Sequence, residues 1–382
     1  MPDRIRKMLD GHVESGLVPG LVALVRRGGE TRAIVLGSTA ADGGVPMRRD
    51  ALFRIASLTK PVVAAAAMTL VEDGALRLDD PVDGLLPELG APRVLRRPDG
   101  PLDDTVPAER AITLRDLLTF RLGTGAVLEP SPIGTALEEA GVAPGPDVSP
   151  LPPDTWTKRL AALPLVHQPG TRWMYHTGAD VLGVLIARAT ARPLADVLHE
   201  RIFDPLGMHD TGFHVAPRDT HRLVTSYAPD EAGHLVVRDD PRDRPPGFPS
   251  GGGGLVATAD DVLAFFGTLL DGGGPILSRE SVRLMTSDHL TAAQRTAAEP
   301  MLTTGWGFGV AVEIRDAPPT SRPGRFGWMG GLGTTAFADP SAELAGVLFT
   351  QVAVWTPGVG DLMVEFWNQC GDDLDRKADS PH

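Results

Sequence analysis

Segments rich in strand-forming residues lie at both ends of this chain, far apart in sequence. Near the N-terminus, residues 21–25 and 31–36 flank a Gly28-Gly29 turn, which predicts a β-hairpin. In the last quarter, four further segments have the composition and spacing of strands: 305–314, 325–331, 334–338 and 344–354. Because such strands need partners, we expect both chain ends to build one antiparallel sheet flanked by helices, an α/β (α+β) fold.

Helical patterns and loops occupy the middle of the chain. Apolar spacing and capping signals predict helices near residues 5–13, 57–72, 113–119, 180–190, 193–203, 258–270 and 359–369. Residues 91–110 and 121–155 are rich in proline and have no clear periodicity. Loops of this length in compact proteins are usually functional or disordered, and we expect these two to cover a cleft.

These patterns predict two units. Residues 1–75 and 290–382 would form the subdomain that holds the sheet and the terminal helices. Residues 76–289 would form a mostly helical subdomain with the long proline-rich loops. We expect the two to act together as one unit, and we find no internal repeat.

One short motif, Ser57-x-x-Lys60, precedes a long apolar segment. Residues three apart lie on the same side of a helix, so the hydroxyl and the amine would stand side by side. Lysine is scarce here, and only Lys60 of the four lysines borders such an apolar segment. Burial of a charged amine is unfavourable without partners. The pattern therefore indicates either a nucleophile with its base or a lysine that extends from a core helix to solvent.

Charge and cysteine content limit the possible partners and compartment. The net charge of -13 argues against nucleic acid or an anionic membrane as a partner, since both attract basic surfaces. A single cysteine, Cys370, allows no disulfide within the chain. Neither a signal peptide nor a membrane-spanning apolar run is recognisable. We therefore expect a cytoplasmic protein that acts on a small molecule.

Other catalytic systems lack their sequence signatures. No serine lies in the Gly-x-Ser-x-Gly motif of α/β-hydrolases. The ten histidines form no zinc motif, so we expect neither a metal nor another cofactor. The glycine run 251–254 has no lysine after it and no strand before it, which favours close backbone packing over phosphate binding.

A serine–lysine system can share the base role with a tyrosine hydroxyl. The chain has two tyrosines, and Tyr175 lies between a Pro169-Gly170 turn and the helix predicted from residue 180. Functional residues concentrate in such loops. The alternative is a packing aromatic whose hydroxyl reaches the surface.

Four segments, in the same order, resemble the class C β-lactamase-like serine hydrolases, a superfamily that includes penicillin-binding proteins. They are the Ser57-Leu58-Thr59-Lys60 motif, residues 112–119, the Pro169-Gly170-x-x-Trp173-x-Tyr175 segment and residues 251–270. The resemblance spans about residues 5–370. It implies a β-lactamase/transpeptidase-like catalytic unit with Ser57, Lys60 and Tyr175 as catalytic residues.

The resemblance also assigns a third motif, and here the chain departs from β-lactamases. Trp328, Met329 and Gly330 occupy the position of the superfamily's cationic motif, and family VIII carboxylesterases are similar in having a tryptophan there. Thr177 stands two residues after Tyr175, at a position where the superfamily usually has an asparagine. The resemblance implies that these four residues, with His176, contact substrate. The backbone N–H groups of Ser57 and Gly331 would form the oxyanion hole. His176, Trp156, Trp173 and Trp328 could line a cleft or pack internally.

These departures favour esters over β-lactams. We therefore expect a serine hydrolase that forms an acyl-enzyme at Ser57, acting as a carboxylesterase on small esters. An acyltransferase, or a biosynthetic enzyme that forms or cleaves amides, is the main alternative. A β-lactamase or D-Ala-D-Ala peptidase, or a binding protein without catalysis, is less favoured. A neutral Lys60 or an ionised Tyr175 could serve as the base, and the sequence does not choose between them.

Overall fold

A seven-stranded antiparallel sheet forms the centre of the computed structural model, which describes residues 2–145, 147, 149–299, 301–316 and 322–372. Its strand order is β2-β1-β13-β12-β11-β10-β9. The strands of this sheet are β1 Gly20–Arg27, β2 Glu30–Gly37, β9 Gly305–Trp306, β10 Ala311–Val312, β11 Phe326–Gly330, β12 Thr334–Asp339 and β13 Leu344–Thr350. Three two-stranded pairs complete the strands: β3 Phe53–Arg54 with β8 Val256–Ala257, β4 Arg93–Leu95 with β5 Thr105–Pro107, and β6 Tyr227–Pro229 with β7 Leu235–Val237.

The first and last strands of the chain pair with each other within the sheet, second and third from one edge. Strand β1 pairs with β13 from Leu21 opposite Thr350 to Arg27 opposite Leu344. Both strands are almost entirely buried because helices cover both faces of the sheet. The predicted α/β (α+β) class, with its sheet drawn from both chain ends, is confirmed.

Helices cover both faces of this sheet. The described residues form the helices α1 Pro2–Glu14, α2 Thr59–Glu72, α3 Leu114–Leu118, α4 Pro132–Glu139, α5 Pro153–Ala161, α6 Thr177–Thr190, α7 Leu194–Leu198, α8 Asp204–Leu206, α9 Ala259–Leu270, α10 Arg279–Met285, α11 Ala292–Ala298 and α12 Val359–Asp372. A five-residue π-helical segment, His199–Phe203, joins α7 to α8. On one face, α1 and α12 bury residues such as Leu9 and Phe366. On the other face, α9 packs on β12 and β13, and the core continues to α2 and α6.

Side-chain caps begin several of these helices where the sequence predicts them. Thr113 and Asp116 form a reciprocal capping box at the start of α3. Thr258 accepts a hydrogen bond from the Asp261 backbone N–H at the start of α9. Helix α2 begins behind a 3₁₀ turn, Ala56–Leu58, and carries Pro61 in its first turn, where a missing backbone N–H is tolerated.

The proline-rich stretches contain more regular structure than the sequence predicts. The hairpin β4–β5 lies within 91–110, and α4 lies within 121–155. Helices α10 and α11 were also not predicted, because each is only seven residues long and its apolar pattern is brief.

The proposed division into 1–75 with 290–382 and 76–289 stays a prediction. Met1, Pro300, 317–321 and 373–382 of the first unit, and Pro146 and Val148 of the second, lie outside the described residues. Among the residues that the structure describes, no helix is both long and apolar enough to cross a lipid bilayer.

Candidate active site

Ser57 lies in a strained turn between a short strand and the central helix. The preceding Ala56 has a positive φ of 43°, and the 3₁₀ turn it opens leads directly into α2. Ser57 is 8% exposed, so its hydroxyl is accessible although the surrounding backbone is buried. The turn therefore presents a serine to solvent at the N-terminus of a buried helix, where the helix dipole is positive.

Lys60 is only 1% exposed, and three polar groups lie within hydrogen-bond distance of its amine. Its Nζ donates to Ser57 Oγ at 2.9 Å and to the Gly252 carbonyl oxygen at 2.5 Å. It also lies 3.2 Å from His176 Nδ1 and 4.5 Å from the centre of the Tyr175 ring. The sequence prediction that Ser57 and Lys60 stand side by side therefore agrees with the structure.

Burial controls the protonation of Lys60. Desolvation lowers the pKa of its amine from 10.5 to about 7, although the charge of Asp180 acts in the opposite direction. An amine with this pKa is substantially neutral near physiological pH. It can therefore accept a proton from the serine hydroxyl that it contacts.

Tyr175 is half-buried in an aromatic cluster beside this pair. Its ring stacks on Trp173 at 5.7 Å between centroids and meets Phe120 edge-on at 6.0 Å. Trp328 Nε1 donates a hydrogen bond of 2.6 Å to the phenol oxygen. Desolvation raises the pKa of Tyr175 to about 12, although hydrogen bonds with Ser57 and Trp328 lower it in part. The phenol is thus a proton donor at neutral pH.

His176 adopts an unusual backbone conformation immediately after Tyr175. Its φ of 83° and ψ of -66° are those of a γ-turn, and the Thr177 N–H donates to the Tyr175 carbonyl oxygen at 3.2 Å. The turn places the imidazole against Lys60 on one side. On the other side, His176 Nε2 lies 3.0 Å from Asp180 Oδ2. Burial and the charge of Lys60 lower the pKa of His176, which favours neutral imidazole.

Asp180, in the first turn of α6, is a functional candidate that the sequence analysis did not single out. Its Oδ1 accepts hydrogen bonds from Ser250 Oγ at 2.6 Å and from the Gly252 N–H at 2.9 Å. Although burial opposes ionisation, His176 and these hydrogen bonds lower the pKa of Asp180. Its four-residue spacing from His176 across a helix start was the signal available in the sequence.

The glycine run before β8 packs closely against these residues. A Cβ atom on Gly252 would lie 2.5 Å from His176 Nε2, and one on Gly251 would lie 2.3 Å from the Ala179 carbonyl oxygen. The predicted role of this run, close backbone packing, is therefore observed. Gly252 contributes both a carbonyl acceptor to Lys60 and an N–H donor to Asp180.

A cavity of about 520 Å³ opens above Ser57. Its walls are mainly apolar and small polar residues: Ala56, Ser57, Ala126, Pro144, Gly145, Tyr175, His176, Gly252, Gly253, Met301, Leu302, Thr303, Thr304, Ala311, Trp328, Met329, Gly331, Val354, Trp355 and Trp367. None of these described lining residues is an arginine, lysine, aspartate or glutamate. A second cavity of about 280 Å³ adjoins the first and shares Ala126, Tyr175 and Met301 with it.

The structure brings most, but not all, of the predicted site residues to the main cavity. Ser57, Tyr175, His176, Trp328, Met329 and Gly331 line its wall. Lys60 is not a lining residue and lies buried behind Ser57, within 2.9 Å of its hydroxyl. Gly330 and Thr177 are buried and are not among the lining residues. A Cβ on Gly330 would lie 2.3 Å from the Ile55 carbonyl oxygen, so this glycine lets β11 approach the backbone that precedes Ser57.

The remaining predicted features divide between the two cavities and the core. Trp173 lines the second cavity, as do Pro98 and Asp99 of the first proline-rich stretch. Trp156 packs against Phe248 in the core, 4.8 Å between ring centroids, and does not line the main cavity. Across the described ranges, no group of three or more histidine, cysteine, aspartate or glutamate side chains is arranged to hold a metal ion.

Comparison with known proteins places these motifs in one family. The sequence matches the family model described as "Beta-lactamase" over residues 5–363. It is 44% identical over 348 residues to Protein Rv1367c of Mycobacterium tuberculosis (strain ATCC 25618 / H37Rv), covering 87% of this chain and 85% of that protein. It is 33% identical to Esterase EstB of Burkholderia gladioli, covering 92% of this chain and 90% of the esterase.

One solved structure has the same fold. It is described as "EstCE1, a hydrolase with promiscuous acyltransferase activity". It matches with a TM-score of 0.81 at 28% identity, over 96% of this chain and 97% of that one. The predicted β-lactamase/transpeptidase-like fold is thus confirmed by comparison.

Proposed function

Because this chain belongs to the β-lactamase family of serine hydrolases, we propose that it is a carboxylesterase for small, neutral esters. Ser57 is the nucleophile, Lys60 its base and Tyr175 the acid for the leaving group. The observation that carries the ester assignment is the cavity wall above Ser57, whose described residues include no cationic side chain. A substrate carboxylate, as in penicillins or D-Ala-D-Ala peptides, would find no charged partner there.

In the proposed acylation step, neutral Lys60 takes the Ser57 proton while Oγ attacks the ester carbonyl carbon. Support comes from the 2.9 Å contact between Nζ and Oγ and from burial, which lowers the pKa of Lys60 to about 7. As the tetrahedral intermediate collapses, the C–O bond to the alcohol breaks and Tyr175 donates its phenol proton to the alkoxide. The proton held on Lys60 then restores the phenol, so that none is gained or lost.

The same groups serve deacylation. Water attacks the acyl-enzyme while neutral Lys60 accepts its proton, and Ser57 leaves with a proton returned by that lysine. The backbone N–H groups of Ser57 and Gly331 are proposed as the oxyanion hole, and both residues line the cavity.

The nucleophile is tested with p-nitrophenyl butyrate and intact mass spectrometry. The wild-type protein should turn over the ester and carry a butyryl group on Ser57 in rapidly quenched samples. Ser57→Ala should lose both, because no other hydroxyl contacts Lys60 among the described residues. Undiminished turnover by Ser57→Ala would refute the proposal.

The proposed substrate charge is tested with two esters that share a leaving group. We expect kcat/KM for p-nitrophenyl butyrate to exceed that for p-nitrophenyl hemisuccinate by about tenfold or more, since an unpaired carboxylate loses hydration in the cavity. A preference for the hemisuccinate, or acylation of Ser57 by nitrocefin at a comparable rate, would instead support a carboxylate-binding hydrolase.

Acyl transfer is the second candidate, and the adjoining cavity favours it. Tyr175 lines that cavity as well as the main one, and the residues that the two cavities share could admit an acceptor alcohol or amine. Adding such an acceptor to the p-nitrophenyl butyrate reaction should then yield a new butyryl ester or amide at the expense of butyrate. If butyrate is the sole product with every acceptor in a panel, the enzyme is a hydrolase without acyltransferase activity.

A further inference from the structure

We propose that His176 and Asp180 are positioning residues for the base: Asp180 fixes the tautomer of His176, and His176 aims the lone pair of Lys60 at Ser57. This inference rests on the proposed function, because it assigns a role to Lys60 as the base. The proposed arrangement is a buried series of side chains in which Asp180 contacts His176, His176 contacts Lys60 and Lys60 contacts Ser57.

The first step concerns the ionisation of the Asp180 carboxyl group. Its Oδ1 accepts hydrogen bonds from Ser250 and Gly252, and its Oδ2 lies 3.0 Å from His176 Nε2. The backbone N–H of Gly252 can only donate, so it favours the ionised carboxylate. A carboxylate at Oδ2 selects the histidine tautomer that carries its proton on Nε2.

The second step follows from that tautomer. With the proton on Nε2, His176 Nδ1 is an acceptor, and it lies 3.2 Å from Lys60 Nζ. The Gly252 carbonyl oxygen, also near Nζ, can only accept. A neutral amine has two N–H bonds and one lone pair. When these two acceptors hold both N–H bonds, the lone pair is left for the Ser57 hydroxyl, 2.9 Å away.

The backbone provides an independent argument. His176 is held in the positive-φ conformation of a γ-turn, which a histidine side chain adopts only under strain. The ring is confined by Gly252, where any larger residue would collide with Nε2. Such strain persists where surrounding structure over-determines it, and it commonly marks functional sites. The turn is what lets consecutive residues, Tyr175 and His176, both reach the serine–lysine pair.

Three titratable side chains among the described residues face the His176 ring. They are Lys60 from α2, Asp180 from α6 and Tyr175 from the same turn. Tyr175 stays protonated at neutral pH, so Lys60 and Asp180 set the charge around the ring. Both the acceptor Nδ1 and the Asp180 charge stabilise the ammonium that forms when Lys60 takes a proton.

Two substitutions separate the contacts that His176 makes. His176→Asn keeps an acceptor near the position of Nδ1 and loses the contact with Asp180. His176→Gln keeps a donor near Nε2 and loses the acceptor for Lys60. We expect His176→Gln to lose about 10- to 100-fold in kcat/KM, the value of a hydrogen bond to a charged group. His176→Asn, which keeps the acceptor for Lys60, should lose clearly less activity than His176→Gln.

The pH dependence of kcat/KM gives the readout that a packing role would not move. Without the acceptor, the Lys60 ammonium is less stable, so the acid limb should move to lower pH in His176→Gln. It should move in the same direction in Asp180→Asn, which removes the charge that raises the pKa of Lys60. The limb should stay in place in His176→Asn. Thermal unfolding of each variant checks that the fold is retained.

Equal losses in the two histidine variants, with an unmoved acid limb, would overturn the positioning role and assign the ring to packing. That outcome differs from failure of the proposed function, which shows as persistent activity in Ser57→Ala. A fluorophosphonate probe labels the nucleophile, and its labelling rate can be measured against pH in the same variants. These rates should rank the variants in the same order as kcat/KM does. A different order would also overturn the inference.

Discussion

At the scale of single residues, Lys60 shows how burial lowers the pKa of an amine that is protonated in water at neutral pH. The charge of Asp180 favours the protonated amine, but desolvation outweighs it and lowers the pKa of Lys60 to about 7. Over the same region, burial raises the pKa of Tyr175 to about 12. Environments that separate the pKa values of two groups assign the acid and the base.

The activity should therefore depend on pH in a stated direction. Below a pH of about 7 the Lys60 ammonium has no lone pair, so kcat/KM should fall as the pH drops through that value. Because the pKa of Tyr175 is about 12, no loss is expected up to about pH 10. The measurement is the hydrolysis of a naphthyl ester from about pH 5 to about pH 10. A flat acid limb would contradict the assignment of Lys60 as the base.

Lys60→Arg is the matched variant for this profile, since it keeps a cation of similar length. A guanidinium stays protonated throughout the range, so we expect a loss of about 10²- to 10⁴-fold at every pH. Activity close to that of the wild type across the range would show that a permanent cation suffices at this position, and would contradict the role of Lys60 as the base.

The Trp328 indole N–H donates a hydrogen bond of 2.6 Å to the Tyr175 hydroxyl oxygen. Trp328→Phe removes that hydrogen bond, which should raise the pKa of the phenol further and make it a weaker acid for the leaving group. We expect kcat to fall about tenfold.

Trp306→Phe is the control for this substitution. Trp306 packs against Trp328 at 4.8 Å between ring centroids, but its Nε1 has no hydrogen-bond partner among the described residues. Its replacement should leave kcat within about threefold once normalised to folded protein. Similar losses in both variants would mean that packing, not the hydrogen bond, matters at Trp328.

At the scale of elements, the glycine run before β8 brings a loop within contact distance of α2 and α6. Gly252→Ala would push a methyl group into the His176 ring, whereas Gly253→Ala would meet its nearest atoms at 3.9 Å. We expect Gly252→Ala to lose at least about tenfold in kcat/KM because the contacts around Lys60 shift. Gly253→Ala should stay within about threefold. Comparable kinetics in the two variants would contradict the close-packing role.

At the scale of the whole molecule, the pairing of β1 with β13 joins the two ends of the chain, and α12 covers that junction. Phe366 of α12 is fully buried against Phe337, while Val364 of the same helix is 48% exposed. Phe366→Ala should lower the free energy of unfolding by about 3–5 kcal/mol through the cavity it leaves.

Val364→Ala is the control on the same helix and should change the free energy of unfolding by no more than about 0.5 kcal/mol. Urea unfolding followed by circular dichroism compares the two variants. If both lose the same stability, α12 does not close the sheet through its buried face.

Local sequence determined the elements whose signals are strong and short in range. The hairpin of β1 and β2, the capping box of α3 and the serine–lysine pair across one helical turn depend on neighbouring residues, and all were predicted. Tyr175 was a candidate from its place in a loop before a helix, and the resemblance to known motifs supported it. The short helices α10 and α11 and the hairpin within 91–110 escaped because tertiary packing, not local periodicity, stabilises such brief segments.

Only the tertiary structure decided which groups of the site contact one another. Asp180 and Gly252 lie 72 residues apart in sequence, and no local pattern shows that one donates to the other or that both converge on Lys60. The sequence left the base open between a neutral lysine and an ionised tyrosine, because pKa values depend on burial and on neighbours brought in by folding. Residue types and their spacing thus determined which groups could act, whereas long-range packing set their charge and orientation.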